Sequence, residues 1–240
     1  MSKLDILAIG VHPDDVELSC AGTLIHYQLL GKKIGLLDLT KGELGTRGNA
    51  HTRTSEAEAS TKILGADVRV QLDMADGFFT HDKEHLIPII TVLREHQPEM
   101  VLINAKSDRH PDHGRAAKLC ADACFLSGLI KIETWNDRHK IQDPWRPRMV
   151  FHYIQDYYLK PDFVFDITPY FDKKMEMILA FKSQFYDPNS AEPTSPISSK
   201  EFMDFIRSRA MDMGRSAGYE LAEGFQIDKN FGVRDLFQLD

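Results

Sequence analysis

Two short apolar runs, Ile6-Leu7-Ala8-Ile9-Gly10-Val11 and Met100-Val101-Leu102-Ile103-Asn104, each lead into a turn built on histidine, proline and aspartate. The first turn is His12-Pro13-Asp14-Asp15 and the second is His110-Pro111-Asp112-His113. Runs without alternating polar positions read as strands covered on both faces, which is the condition inside a parallel sheet. Parallel neighbours need long crossovers, usually helical, and the sequence provides them. Leu18, Ala21, Leu24, Ile25 and Leu29 form a helical stripe running to about Leu30, with Gly31 as a stop. A strand over 34–39, a helix over 54–64, a strand over 68–72, a helix with Pro88 in its first turn ending near His96, and a helix over 113–126 complete the alternation. Right-handed βαβ units follow, and with them an α/β, Rossmann-like, mostly parallel sheet with helices on both faces.

Beyond Lys131 the rhythm changes. Residues 135–148 read as an irregular connection, followed by strands over 148–154 and 163–167 and a helix over 170–185. Residues 187–199 contain Pro188, Pro193 and Pro196 with several serines and read as a loop able to close over a ligand. An amphipathic helix over 200–215 comes last. No segment has the character of a linker, so a single domain over 1–240 is expected, with a carboxyl-terminal α+β extension built onto the main sheet. A net charge of −7 argues against nucleic acid as a partner. No apolar run approaches the roughly 18 residues needed to cross a bilayer. The first strand begins almost at once, leaving no room for a signal peptide. Cys20, Cys120 and Cys124 form no framework of pairs. A reduced, cytoplasmic chain is expected.

Loops leaving the carboxyl ends of parallel strands converge on one crevice, so the two turns are expected to meet. His12 precedes a proline and is pushed to extended backbone. Asp14 and Asp15 fall at a helix start, where carboxylates are favoured as caps alone. The second cluster, with Asp108, Arg109 and Arg115 around His110 and His113, makes two coincidental caps a poor account. A catalytic zinc takes three protein ligands and keeps one position open. His12, Asp15 and one of His110 or His113 satisfy that count. Adjacent aspartates diverge from a turn, so one ligates while the other serves as general base. The remaining histidine, oriented by Asp112 or Asp108, is left to carry a proton or stabilise an oxyanion. Imidazole suits ferrous iron as well as zinc.

Together with Thr40-Lys41-Gly42-Glu43, Arg53 with Glu56, Lys182-Ser183-Gln184, Arg209, Gly218-Tyr219 and Ala222-Glu223-Gly224-Phe225, these motifs resemble the LmbE-like (PIG-L) zinc-dependent N-deacetylases over nearly the whole chain. The resemblance implies zinc on His12, Asp15 and His113, and Asp14 as base. It implies His110 at the oxyanion or leaving amine, with Asp112 orienting it. It implies a substrate contact at Arg53 and sugar contacts from the loop carrying Lys41, Glu43 and Arg47. Arg47, Arg53 and Arg109 are its candidates for a substrate carboxylate. A later tyrosine donor has no assignable equivalent among Tyr153, Tyr157 and Tyr186. Within the family the chain is most similar to the bacillithiol-biosynthesis branch. That implies removal of the acetyl group from N-acetyl-α-D-glucosaminyl L-malate by zinc-activated water, and the family resemblance implies a homo-oligomer, a trimer or hexamer. Mycothiol-type conjugates and chitin fragments are alternative small N-acetylated sugar substrates; lipid-linked ones are disfavoured without a membrane segment. A non-haem iron oxygenase would need an all-β scaffold, and a phospho-acceptor module would need no histidines. A metal-binding protein without activity is the remaining alternative.

Overall fold

The first strand, β1 (Ile6–Gly10), is buried throughout. Its side chains divide between two apolar layers, as strand geometry requires. Leu7 and Ile9 pack with Ile89, Ile90, Leu93, Ala116 and Leu119 on one face of the sheet. Ile6 and Ala8 pack with Val16, Cys20, Leu24 and Ile25 on the other. The computed structural model describes residues 3–238. Its sheet has seven strands in the order β3-β2-β1-β4-β5-β7-β6. These are β1, β2 (Ile34–Asp38), β3 (Val68–Gln71), β4 (Met100–Ile103), β5 (Met149–Tyr153), β6 (Phe163–Asp166) and β7 (Ala222–Ile227). The pairings from β3 through β5 are parallel, whereas β7 runs antiparallel to both β5 and β6. Helices α1 (Asp15–Leu29), α2 (Ala50–Leu64), α3 (Lys83–His96), α4 (Pro111–Leu126), α5 (Phe171–Leu179) and α6 (Lys200–Arg215) cover the two faces. The α/β class and mostly parallel sheet expected from the sequence are those observed. No helix among the described residues is long and apolar enough to cross a membrane.

Several boundaries differ from expectation. Helix α2 begins at Ala50 because Asn49 caps it, its side chain accepting from the Thr52 amide at 3.0 Å. This places Arg53 within the first turn. Asp82 caps α3 in the same way through His85, so Pro88 lies inside the helix, beyond the first turn. Helix α4 starts at Pro111, where the missing N–H costs nothing. Helix α5 stops at Leu179, and the following turns carry Ser183 and Gln184 back toward α2. Strand β7 is an addition to the expected elements, because Glu223 and Gly224 interrupt its apolar pattern. A Cβ at Gly224 would lie 2.7 Å from Met213 Sδ, so close packing excludes a side chain.

Glu223 explains how the late strand joins the early helix. Helix α1 breaks at Cys20 (φ −138°, ψ 15°). The amides of Gly22 and Thr23 then donate to Glu223 at 2.9 and 2.8 Å, and Lys174 Nζ donates to it at 2.6 Å. Glu223, Lys174 and Thr23 are all buried. Removing one partner of such a pair leaves an uncompensated charge. Glu223→Ala is therefore expected to cost about 3–5 kcal/mol of stability, read as a lower midpoint in guanidinium chloride unfolding.

Candidate metal centre and active site

Strand order reverses between β1 and β4, from which the chain winds outward in opposite directions. Open α/β sheets place their ligand crevice at such a point, beyond the carboxyl ends of the strands. A cavity of about 280 Å³ occupies it. His12, Asp14 and Asp15 reach it from β1, and Asp108, Arg109, His110 and His113 from β4. The two turns, a hundred residues apart in the chain, therefore meet. The ring centroids of His12 and His110 are 4.7 Å apart and those of His110 and His113 are 5.3 Å apart. His12, His110 and His113 each offer a ring nitrogen within 4.8 Å of the others.

The free side of each donor is defined by what its opposite side holds. Asp15 Oδ2 accepts from the Val11 amide at 2.8 Å, the His12 amide at 3.0 Å and Asn104 Nδ2 at 3.1 Å. Its Oδ1 faces His113 Nε2 at 3.2 Å. His113 Nδ1 is bound to Asp108 Oδ2 at 2.5 Å, while Asp108 Oδ1 accepts the amides of Asp156 and Tyr157. His12 Nε2 is bound to Asp76 Oδ1 at 2.9 Å, which leaves Nδ1 on the side of Asp15 at 3.8 Å. A carboxylate behind each imidazole is the arrangement that orients histidine ligands of metals. Burial opposes a charged imidazole at His12, yet Asp15 and Asp76 raise it to about 9. Burial likewise opposes charge on His113, and Asp15 with Asp108 raises it to about 10. Burial resists ionisation of Asp15, but His113 and His12 hold it well below the usual carboxylate range. The cluster thus stabilises positive charge at its centre, and its oxygen and nitrogen donors fit a divalent cation.

Asp14 adjoins this cluster on strained backbone, with φ 127°. Such conformations cost about 1–3 kcal/mol and persist where surrounding contacts enforce them. Here Arg53 Nη2 donates to Pro13 O at 2.6 Å and to Asp14 Oδ2 at 3.0 Å. Gly42 lets Arg53 approach: it has φ +64°, and a Cβ would lie 2.0 Å from Arg53 Nη1. Burial pushes the Asp14 carboxyl up to about 7, against the guanidinium of Arg53. His110 is held below its ordinary value by burial and by the charges of His12 and His113. Its Nδ1 accepts the Asp112 amide at 3.3 Å, so a neutral ring carries its proton on Nε2.

The other expected residues are placed less uniformly. The Asp112 carboxylate accepts from the Gly77 amide and Arg115; only its backbone N–H reaches His110. Lys41 pairs with Asp73 at the surface, and Glu43 accepts the Asp76 amide at 2.8 Å. Arg47 is buried against the carbonyls of Gln184 and Phe185 and the Ser190 hydroxyl. Lys41, Glu43, Arg47 and Asp112 do not line the cavity, whereas Arg53 and Arg109 do. Arg53 is bound to Asp14 and not to Glu56, which accepts from Ser183. Tyr153 donates to Ile9 O beneath the sheet end, and neither Tyr157 nor Tyr186 lines the cavity. Ser195, Pro196 and Ile197 of the expected loop do form part of its wall. Sequence reasoning missed Asp76 and Asn104. Both follow parallel strands, β3 and β4, so the rule that located the histidines also pointed to them.

Comparison with known proteins adds an independent finding. The model of the family described as PIG-L, GlcNAc-PI de-N-acetylase, matches residues 7–124, which carry both histidine turns. The diacetylchitobiose deacetylase of Thermococcus kodakarensis is 28% identical over 237 residues, covering 92% of this chain and 82% of that protein. The uncharacterized deacetylase YaiS of Escherichia coli is 32% identical over 136 residues, covering 54% of this chain and 73% of its own. The crystal structure of the conserved protein TT1542 from Thermus thermophilus aligns with a TM-score of 0.83 at 31% identity, over 96% of this chain and 98% of that one.

The carboxylates behind the histidines give a direct test. Asp108→Ala and Asp76→Ala are each expected to weaken the site's affinity for a divalent cation about 10–100-fold, measured with added zinc in competition with a chelating dye. Unchanged affinity in both would contradict the orienting role.

Proposed function

We propose, for a chain that belongs to the PIG-L/LmbE-like deacetylase family, that its cavity hydrolyses the acetamide of an N-acetylated amino sugar. The observation that carries this reading is the placement of Asp14 beside the His12, Asp15 and His113 donors, with His110 on the same cavity. His12 Nδ1, Asp15 Oδ1 and His113 Nε2 are the atoms assigned to hold one divalent cation, zinc in preference to ferrous iron. A cation held there would acidify water and polarise the acetyl carbonyl.

The residues of the chain do the rest. Asp14 is raised to about 7 by burial, so it accepts the proton of the attacking water near neutral pH and can return it. Arg53 fixes which carboxylate oxygen is free by binding Oδ2. His110 offers its Nε2–H to the acetyl oxygen as negative charge develops there. Water adds its oxygen to the acetyl carbon and the C–N bond breaks. The amine takes the proton that Asp14 accepted from water, and acetate departs. The whole chain acts as one domain in this reading, since Glu223 and Lys174 bind the late elements to α1.

For the substrate we favour N-acetyl-α-D-glucosaminyl L-malate. The motif likeness to the bacillithiol branch supports it. A cavity near the lower end of the ~300–1,000 Å³ typical of small-molecule sites also suits a single sugar with a short appendage. The relative from Thermococcus kodakarensis is named for diacetylchitobiose, so a chitin fragment belongs in the same panel. Asp14→Asn keeps an acceptor for Arg53 but removes the base. It is expected to lower kcat by about 10²–10⁴ while the protein keeps its zinc, read by acetate release and metal analysis. Wild-type turnover in that variant, or no acetate from any N-acetylated sugar in the panel, would overturn the reading.

A further inference from the structure

Three arginines line the cavity, and two of them are already neutralised. Arg53 is paired with Asp14 at 3.0 Å and Arg109 with Asp156 at 2.5 Å. Arg209, on α6, has no carboxylate within 4.0 Å among the described residues. Its polar contact is a long one, Nη2 to Leu18 O at 3.4 Å, and its guanidinium lies 5.3 Å from the centre of the Phe205 ring. Burial pushes its pKa down, and Asp156, Asp108 and Glu223 act on it only from a distance. A second polar atom of the same cavity, Ser195 Oγ, is buried without a hydrogen-bond partner among the described residues. Buried polar groups are nearly always satisfied, and one left open at a cavity calls for an explanation.

We infer that Arg209, with Ser195 beside the same cavity, forms a subsite for a carboxylate on the group linked to the sugar, and so selects anionic conjugates over neutral ones. This rests on the deacetylase reading. A guanidinium binds a carboxylate through two parallel hydrogen bonds, which gives orientation as well as attraction. A phosphate dianion fits less well. Phosphate concentrates two charges on one group at the single unpaired guanidinium, with Asp14, Asp15, Asp76, Asp108 and Asp156 around the same cavity, whereas the two carboxylates of malate are separate groups of which only one needs to sit at Arg209. Ile197 and Phe202 supply apolar surface in the same wall. In this proposal the role expected of Arg47, Arg53 or Arg109 is given to Arg209, the cavity arginine with no carboxylate within 4.0 Å among the described residues.

The test compares N-acetylglucosaminyl malate with its dimethyl ester, which removes both negative charges and adds two methyl groups, on zinc-loaded wild type, Arg209→Met and Arg209→Lys, so that the ratio between proteins isolates the charge. The ratio of kcat/KM for the acid over the ester is expected to fall about tenfold or more in Arg209→Met, mainly through KM, and to recover in part in Arg209→Lys. An unchanged ratio, or an equal fall for both substrates, would overturn the proposal, since a purely structural role moves both together. L-malate and inorganic phosphate titrated into the same three proteins provide a readout without turnover. Malate binding weakened about tenfold or more by Arg209→Met supports the subsite. Malate binding indifferent to the substitution, or phosphate bound in preference to malate, refutes it. If wild type releases acetate from neither substrate the deacetylase reading fails, and the malate titration still decides the subsite.

Discussion

The carboxylate of Asp15 is the hinge of this structure. One oxygen takes three donors, the amides of Val11 and His12 and the side chain of Asn104, and so closes the turn after β1 onto the end of β4. The other oxygen is left facing His113. A buried carboxylate with this many donors stays ionised, and its charge sets the states of the imidazoles on either side. The cavity, the cation-attracting cluster and the strained turn at Asp14 all follow from that anchored group.

Around it the carboxylates of Asp14, Asp15, Asp76 and Asp108 stand against Arg53 and against His12 and His113, whose positive charge exists only because those carboxylates face them. A cation bound in place of those protons would meet the same carboxylates. The two sides of the cavity differ in this respect. Near β1 and β4 the residues attract a cation, whereas on α6 Arg209 has no carboxylate within 4.0 Å among the described residues. A substrate with an acetamide at one end and a carboxylate at the other would meet a polarising cation site at the first and a guanidinium at the second. The arrangement also gives an account of Asp14. Crowded by like charge and burial, it becomes basic enough to take a proton near neutral pH, and the guanidinium of Arg53 keeps it in place without abolishing that tendency.

The parallel core was legible because burial on both faces leaves a plain trace, uninterrupted apolar runs such as Ile6–Val11, and because each run is followed by helical spacing. The convergence of His12, Asp14, Asp15, His110 and His113 was legible for a topological reason: strand ends in such a sheet share one side. Strand β7 was hidden because its central residues, Glu223 and Gly224, serve contacts made elsewhere. Pro88 misled because proline favours a first turn only as a local preference, and the cap at Asp82 outweighed it. Arginine roles were the least legible. Arg47, Arg53, Arg109 and Arg209 have identical chemistry along the chain.

What the sequence determined by itself is therefore the layered α/β class, the two turns and the kind of chemistry their side chains suit. Local patterns carry that information, since period, proline and adjacent aspartates act within a few residues. Tertiary structure alone decided which imidazole nitrogen is free, which carboxylate stands behind it, that Glu223 mends the break in α1, and which of the cavity arginines has no carboxylate partner among the described residues. Those are outcomes of distance between residues far apart in the chain, and Coulomb and hydrogen-bond energies depend on distance in space and not on separation in sequence.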